Sequence, residues 1–234
     1  MNFNVNKMAG LGVRLVFDSD SVAVITMCSE ENKFSVDFID SFMRILDEVE
    51  KNPDCKAMIT RGEGKFFSSG LDIDWIRSQE NGTLNRYHDK LWTLYKRILT
   101  FGVPTVAVIN GHAFSDGAFL ALVHDYRVMR SDRGYISWPE VHFKLPFMQM
   151  MNIFMAKLPP GKIQTEVIVY GKRFDAKAAK ELVLVDITAE ESQLLPQAKS
   201  IIQSIFKVGP LDRSTLSMMK RDVYGRYLEE KSKL

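Results

Sequence analysis

The sequence predicts an α/β fold with a C-terminal helical extension, and three observations carry that expectation. Short β-branched runs crowd the first half of the chain, helical patterns dominate after Phe147, and one strand–glycine loop–helix unit occurs twice. In the first copy Ala57-Met58-Ile59-Thr60 leads through Phe67-Ser68-Ser69-Gly70 into a helix. In the second, Val106-Ala107-Val108-Ile109 leads through Phe114-Ser115-Asp116-Gly117 into another. No linker or low-complexity segment divides the chain, so one core is expected.

The elements follow in order. Val13 to Phe17 and Val22 to Met27 flank the polar Asp18-Ser19-Asp20-Ser21, a hairpin pattern. Ser35 is placed to cap a helix through Lys51, with Ile39, Phe42, Met43, Leu46 and Val49 at helical spacing; Pro53-Asp54 ends it. Ala57 to Thr60 reads as a strand, Arg61 to Gly70 as a glycine-rich loop, and Asp72 as the start of a helix. A further helix covers Leu84 to Phe101. Thr105 to Ile109 is a buried strand after Pro104, followed by a loop and an apolar helix to His124. Tyr126 to Met129 and Tyr135 to Ser137 read as strands, and Pro210 to Glu230 as the last helix.

Composition narrows the class. Hydrophobic residues make up 46% and charged residues 26%, which excludes disorder as the main state. A net charge of +2 gives no electrostatic case for nucleic acid. No apolar run approaches the ~18–20 residues of a bilayer span, and Met1 to Met8 lacks the apolar core of a secretory signal. Cys28 and Cys55 make neither a disulfide framework nor a zinc pair, which points to a reducing compartment. Ser232-Lys233-Leu234 spells a receptor-read peroxisomal address, or else a solvated tail on the last helix. A peroxisomal import receptor is therefore an expected partner.

The repeated unit has a chemical use. Free N–H groups at a helix N-terminus attract negative charge, and two such termini on neighbouring strands can aim two N–H groups at one oxygen. That is an oxyanion hole, suited to reactions in which a carbonyl oxygen becomes negative. Ser-Ser-Gly and Ser-Asp-Gly also read simply as helix caps. Gly62-Glu63-Gly64 lacks the remainder of a dinucleotide or phosphate-loop motif, and Asp72 with Asp74 lacks further ligands at calcium-loop spacing. His88, His112, His124 and His142 show no metal spacing and read as core or surface histidines. Ser115 beside Asp116 suggests a nucleophile, but the Gly-x-Ser-x-Gly elbow is absent, leaving a serine hydrolase as a minor alternative.

Several segments together resemble the crotonase (enoyl-CoA hydratase/isomerase) superfamily. They are Phe66 to Ile73, Pro104 to Ala113, His124-Asp125-Tyr126-Arg127, Met129 to Gly134, Pro139-Glu140-Val141, and Gly171-Lys172-Arg173-Phe174 with Ala176, Ala179, Leu182, Val183 and Asp186. The stretch from His124 to Val141 is most similar to plant-type peroxisomal Δ3,Δ2-enoyl-CoA isomerases. The resemblance implies a spiral of ββα turns over residues 1–195 and a helical oligomerisation region over 196–230, and the terminal tripeptide makes 231–234 a targeting tail. It also implies acyl-CoA substrates, trimers or hexamers, and no cofactor beyond the coenzyme A of the substrate.

Residue by residue, the resemblance places the oxyanion N–H groups on Leu71 and Asp116, the latter where many members have glycine. Of the two hydratase glutamates, the first position is Phe119 and the second is Glu140. One carboxylate suffices to carry a proton from C2 to C4, whereas hydration in this family uses two, so isomerisation is favoured and 2-enoyl-CoA hydration or silent acyl-CoA binding are the alternatives. Glu140 is accordingly the expected base, set among Trp138, Phe143, Leu145 and Phe147. Ser68, Ser69, Gly70, Leu71, Asp72 and Ile73, with Lys33 and Phe34, are expected along the CoA moiety. Trp75, Leu84, Phe119 and Met148 are expected to line the acyl pocket.

Overall fold

The hairpin forms as its pattern suggests. In the computed structural model, which describes residues 7–8, 12–80 and 82–228, β2 (Val13–Phe17) and β3 (Val22–Met27) pair antiparallel from Val13↔Met27 to Phe17↔Ala23. Asp18 closes the turn: its Oδ1 accepts the N–H groups of Asp20 and Val22 at 2.9 and 3.0 Å. β1 (Lys7–Met8) adds an edge to β2.

From β3 onward the sheet is parallel. Its order is β1-β2-β3-β5-β8-β10-β12, with β5 at Ala57–Gly62, β8 at Thr105–Ile109, β10 at Tyr126–Arg130 and β12 at Ile187–Ala189. Parallel neighbours require crossovers, and each crossover carries a helix. α1 (Val36–Lys51) links β3 to β5. Ser35 Oγ accepts the Phe38 N–H at 3.2 Å, and Phe38, Phe42, Ile45, Leu46 and Val49 make its buried face.

The stretch from Arg61 to Gly70, expected as a loop, instead holds the end of β5, then β6 (Phe66–Ser68) and the start of β7 (Gly70–Leu71). β6 pairs in parallel with β9 (His112–Phe114), which pairs with β11 (Ile136–Ser137). β7 pairs with β4 (Lys33–Phe34). Each turn of the chain thus lays one strand in the large sheet and a short strand beside it before entering a helix, which is a spiral of ββα turns.

The helices that matter for the site are α2 (Ile73–Arg77), α3 (Thr83–Leu99) and α4 (Asp116–Leu122), the last buried along its whole length. α5 (Met151–Lys157), α6 (Lys162–Gln164) running into a π-helical turn at Thr165–Val169, and α7 (Ala176–Glu181) follow. α8 (Leu194–Phe206) covers the opposite face of the sheet, where Leu194, Ala198, Ile201 and Ile202 meet Val22, Ile59, Val106 and Val128. α9 (Arg213–Leu228) packs on α3 and α5, and its Lys220 Nζ reaches Asp125 Oδ2 at 2.6 Å. No helix among the described residues is long and apolar enough to cross a membrane.

The His124-to-Arg127 stretch is a structural knot. His124 sits between Leu120 O at 2.7 Å and Thr60 Oγ1 at 2.9 Å, and burial lowers its pKa to about 4, so it is a neutral core histidine. Asp125 Oδ2 accepts the Thr105 N–H at 2.8 Å, and Arg127 reaches Leu184 O at 2.8 Å and Asp186 Oδ2 at 3.1 Å. These contacts tie the start of β8 and the end of α4 to the C-terminal helices. Ser232-Lys233-Leu234 lies outside the described residues.

Candidate active site

Two glycines allow the two repeated loops to interlock. Gly70 has φ +87°, and a Cβ there would stand 2.7 Å from Phe114 O and 3.1 Å from the Asp116 nitrogen. A Cβ on Gly117 would stand 2.5 Å from Ser68 Cβ. Any side chain at either position would force the loops apart.

That contact sets the Gly70–Leu71 strand against the start of α4 at Asp116. In β7 the Gly70 N–H is taken by Ser68 Oγ at 3.0 Å and the Asp72 N–H by Phe34 O at 2.9 Å. Strand alternation then turns the Leu71 N–H to the side away from β4. Asp116 opens α4, where an N–H of the first turn has no acceptor within the helix.

The acidic side chain of Asp116 is held from α3. Tyr87 O–H donates to its Oδ2 at 2.6 Å, and Tyr95 O–H donates to its backbone carbonyl at 2.6 Å. Both tyrosines are fully buried on one face of α3. Burial pushes the Asp116 carboxyl up to about 6, and the Tyr87 bond acts in the opposite direction. Neither tyrosine was expected at the site. The available signal was modest: two tyrosines eight residues apart on an apolar helix face bring hydroxyls that must be satisfied inside.

Glu140 begins a single 3₁₀ turn, Glu140–Phe143, and is only 8% exposed. Ser115 Oγ donates to its Oε1 at 2.7 Å, while Oε2 is buried with no hydrogen-bond partner among the described residues. Burial pushes its carboxyl up to about 7, the Asp116 charge adds to the rise, and the Ser115 bond opposes it. A buried carboxyl with a raised pKa and one oxygen without a partner is a candidate for proton transfer.

The wall around Glu140 differs from expectation. Trp138 is fully buried and Phe147 packs on Phe119 and Phe154, but Phe143 and Leu145 are 60% and 46% exposed and face outward. Phe119 is buried, its ring 4.7 Å from Phe154, 5.8 Å from Phe147, 5.9 Å from Trp138 and 6.0 Å from Tyr95. Trp75 lies half-buried against Tyr87. Leu84 and Met148, expected to line an acyl pocket, are 42% and 49% exposed.

Several residues expected along CoA have other duties. The Phe34 side chain is fully buried and stacks on Phe38 at 4.8 Å, so only its carbonyl serves the loop. Ser68 Oγ donates to Asn32 O at 2.7 Å, and the Ser69 N–H goes to Glu31 O at 2.9 Å. Asp72 caps α2 through the Trp75 N–H at 3.0 Å. Lys33 is exposed and pairs with Glu31 at 3.3 Å, and Ile73 is exposed.

A spiral of ββα turns with two interlocked loops and a buried carboxylate defines a class, and comparison with known proteins agrees with it. The enoyl-CoA hydratase/isomerase family model matches residues 18–233. The chain is 31% identical over 192 residues to enoyl-CoA delta isomerase 3 of Arabidopsis thaliana, covering 80% of this chain and 79% of the relative. It is likewise 31% identical over 170 residues to the peroxisomal enoyl-CoA delta isomerase 2 of the same plant, covering 70% and 71%. The fold superposes on a probable enoyl-CoA hydratase of Mycobacterium tuberculosis with a TM-score of 0.82 at 22% identity, covering 93% and 90% of the two chains. The chain belongs to the enoyl-CoA hydratase/isomerase family and is an enzyme of that family.

Proposed function

We propose that the protein is a Δ3,Δ2-enoyl-CoA isomerase that moves the double bond of an unsaturated fatty acyl-CoA from C3 to C2. The observation that carries the reading is Glu140: a buried carboxylate with one open oxygen, its other oxygen held by Ser115. The family's other glutamate position is held by Phe119, and the carboxylate of Asp116 is bound to Tyr87. The delta-isomerase relatives support the same choice.

In this reading the thioester carbonyl accepts hydrogen bonds from the Leu71 and Asp116 N–H groups. Stabilising the developing negative charge on oxygen makes the C2 proton acidic. Glu140 Oε2 removes that proton, giving a dienolate, and returns it at C4. A carboxyl with a pKa near 7 suits both halves of the transfer, because it accepts and releases a proton with little bias. Ser115 holds Oε1 and so fixes which oxygen moves. The aromatic wall around Phe119 keeps water from the dienolate and suppresses hydration.

The reading extends to the protein's setting. Coenzyme A enters as part of the substrate, with no other cofactor. The compartment is the peroxisome, with Ser232-Lys233-Leu234 as the address, in keeping with the peroxisomal Arabidopsis relative. Exposed Val141, Phe143, Leu145, Val169 and Tyr170 flank the Glu140 turn and support self-association of the chain, as a trimer or hexamer.

The test offers purified protein a 3-enoyl-CoA and a 2-trans-enoyl-CoA and follows the absorbance of the conjugated thioester. Conjugation of the first with little loss of the second is expected. Rapid hydration of the second without isomerisation of the first would make the enzyme a hydratase, and binding without turnover of either would make it a silent member of the fold.

A further inference from the structure

We propose that Ser115 and Glu140 also form a nucleophile–base pair that cleaves acyl-CoA thioesters through an acyl-Ser115 intermediate, a second activity of the same site. The inference rests on the reading above only in seating the thioester carbonyl between the Leu71 and Asp116 N–H groups.

Four features of the geometry carry it. Ser115 stands at a turn from a strand, β9, into a helix, α4, with φ +52° and ψ −125°. That is a backbone state an L residue rarely holds, and it is the strained strand-to-helix turn on which hydrolase nucleophiles are displayed. Second, the Ser115 hydroxyl donates to Glu140 Oε1 at 2.7 Å, so a base is already bonded to the proton it would remove. Third, Asp116, the residue after the serine, opens α4 and is in the reading above one of the two oxyanion donors, the other coming from a separate loop. Fourth, Gly117 allows the close helix approach that the second glycine of a Gly-x-Ser-x-Gly elbow provides. The sequence departs from that pattern only at its first glycine, where Ala113 stands fully buried. The backbone therefore holds the elbow although the sequence lacks the full motif.

The chemistry balances without a further reactant except water. Ser115 Oγ bonds to the thioester carbon as Glu140 takes the hydroxyl proton, and the carbonyl oxygen becomes negative between the two N–H groups. Collapse breaks the carbon–sulfur bond, Glu140 returns the proton to the departing CoA sulfur, and the acyl group remains on Ser115. Water then enters where the thiol stood. Glu140 takes one of its protons, the hydroxide oxygen bonds to the ester carbon, and the Ser115 oxygen leaves with the proton from Glu140. The products are free CoA and a free fatty acid. No double bond is needed, so saturated thioesters qualify as substrates.

Octanoyl-CoA, which has nothing to isomerise, is the probe. Wild-type protein is mixed with it while free thiol is followed with a thiol reagent, and samples quenched during turnover are weighed intact and peptide-mapped. The expected result is CoA release together with an octanoyl group on the Ser115 peptide. Ser115→Ala and Ser115→Gly, checked as folded by circular dichroism, are expected to give neither. The glycine variant relieves the strained φ and guards against misfolding. Conversion of a 3-enoyl-CoA by the same wild-type preparation is measured alongside. Normal isomerisation with no CoA release and no adduct overturns the proposal and leaves the isomerase reading intact. CoA release that persists in both Ser115 variants overturns it as well. CoA release through Ser115 without isomerisation supports it and refutes only the isomerase reading.

Discussion

The acid limb of the pH–rate profile should move in opposite directions when the two neighbours of Glu140 are altered. In the folded protein burial pushes this carboxyl from 4.5 up to about 7. In the proposed mechanism this carboxyl is the base and works only when ionised, and kcat/KM reports the ionisation of the free enzyme. One unit below its pKa about 9% of the base is ionised and one unit above about 91%, so kcat/KM for a 3-enoyl-CoA should rise about tenfold between roughly pH 6 and pH 8. The Ser115 hydrogen bond favours the ionised form and the Asp116 charge disfavours it. Ser115→Ala should therefore raise the Glu140 pKa and shift the limb to higher pH. Asp116→Asn keeps a side-chain oxygen for Tyr87, removes the charge, and should shift the limb to lower pH. The assay is the conjugated-thioester absorbance over a buffer series at constant ionic strength. A wild-type limb near 4.5, or shifts of the same sign in both variants, would refute the electrostatic account of the base.

Three further outcomes are expected. Phe119→Ala opens a cavity among Tyr95, Trp138, Phe147 and Phe154 and should cost about 3–5 kcal/mol in denaturant unfolding. Gly70→Ala drives a Cβ to 2.7 Å from Phe114 O at φ +87° and spreads the two loops; kcat should fall by roughly 10² or more, as for loss of one oxyanion donor, while circular dichroism still reports a folded chain. Trimming Ser232 to Leu234 should leave a fluorescent fusion in the cytosol on imaging, whereas the intact C-terminus directs it to peroxisomes.

What was legible in the sequence was local. The Ser35 cap, the α1 stripe and the Thr105–Ile109 strand are written in neighbouring residues, and the structure places them as read. β4, β6 and β7 were not legible, because strands of two or three residues have no periodicity and exist only through their partners. The site divides in the same way. Both glycine loops and Glu140 could be singled out from motifs. Its hydrogen bonds could not: Ser115 to Glu140 spans 25 residues, and Tyr87 and Tyr95 to Asp116 span 29 and 21. Asp116 raises a conflict in the sequence, an acid at the expected oxyanion loop, which Tyr87 of α3 resolves by holding its carboxylate. Phe34 misled for the converse reason, since its backbone serves the loop while its side chain belongs to the core.

The central claim is that one carboxylate, Glu140, moves the proton. Glu140→Gln keeps the size of the side chain and an oxygen for the Ser115 hydroxyl but removes the base. Isomerisation of a 3-enoyl-CoA by this variant should fall by roughly 10²–10⁴ in kcat, the range for a positioned general base, while calorimetry shows acyl-CoA still bound. Near-normal turnover in Glu140→Gln would contradict the claim and pass the role to another residue, with Asp116 the next carboxylate to test.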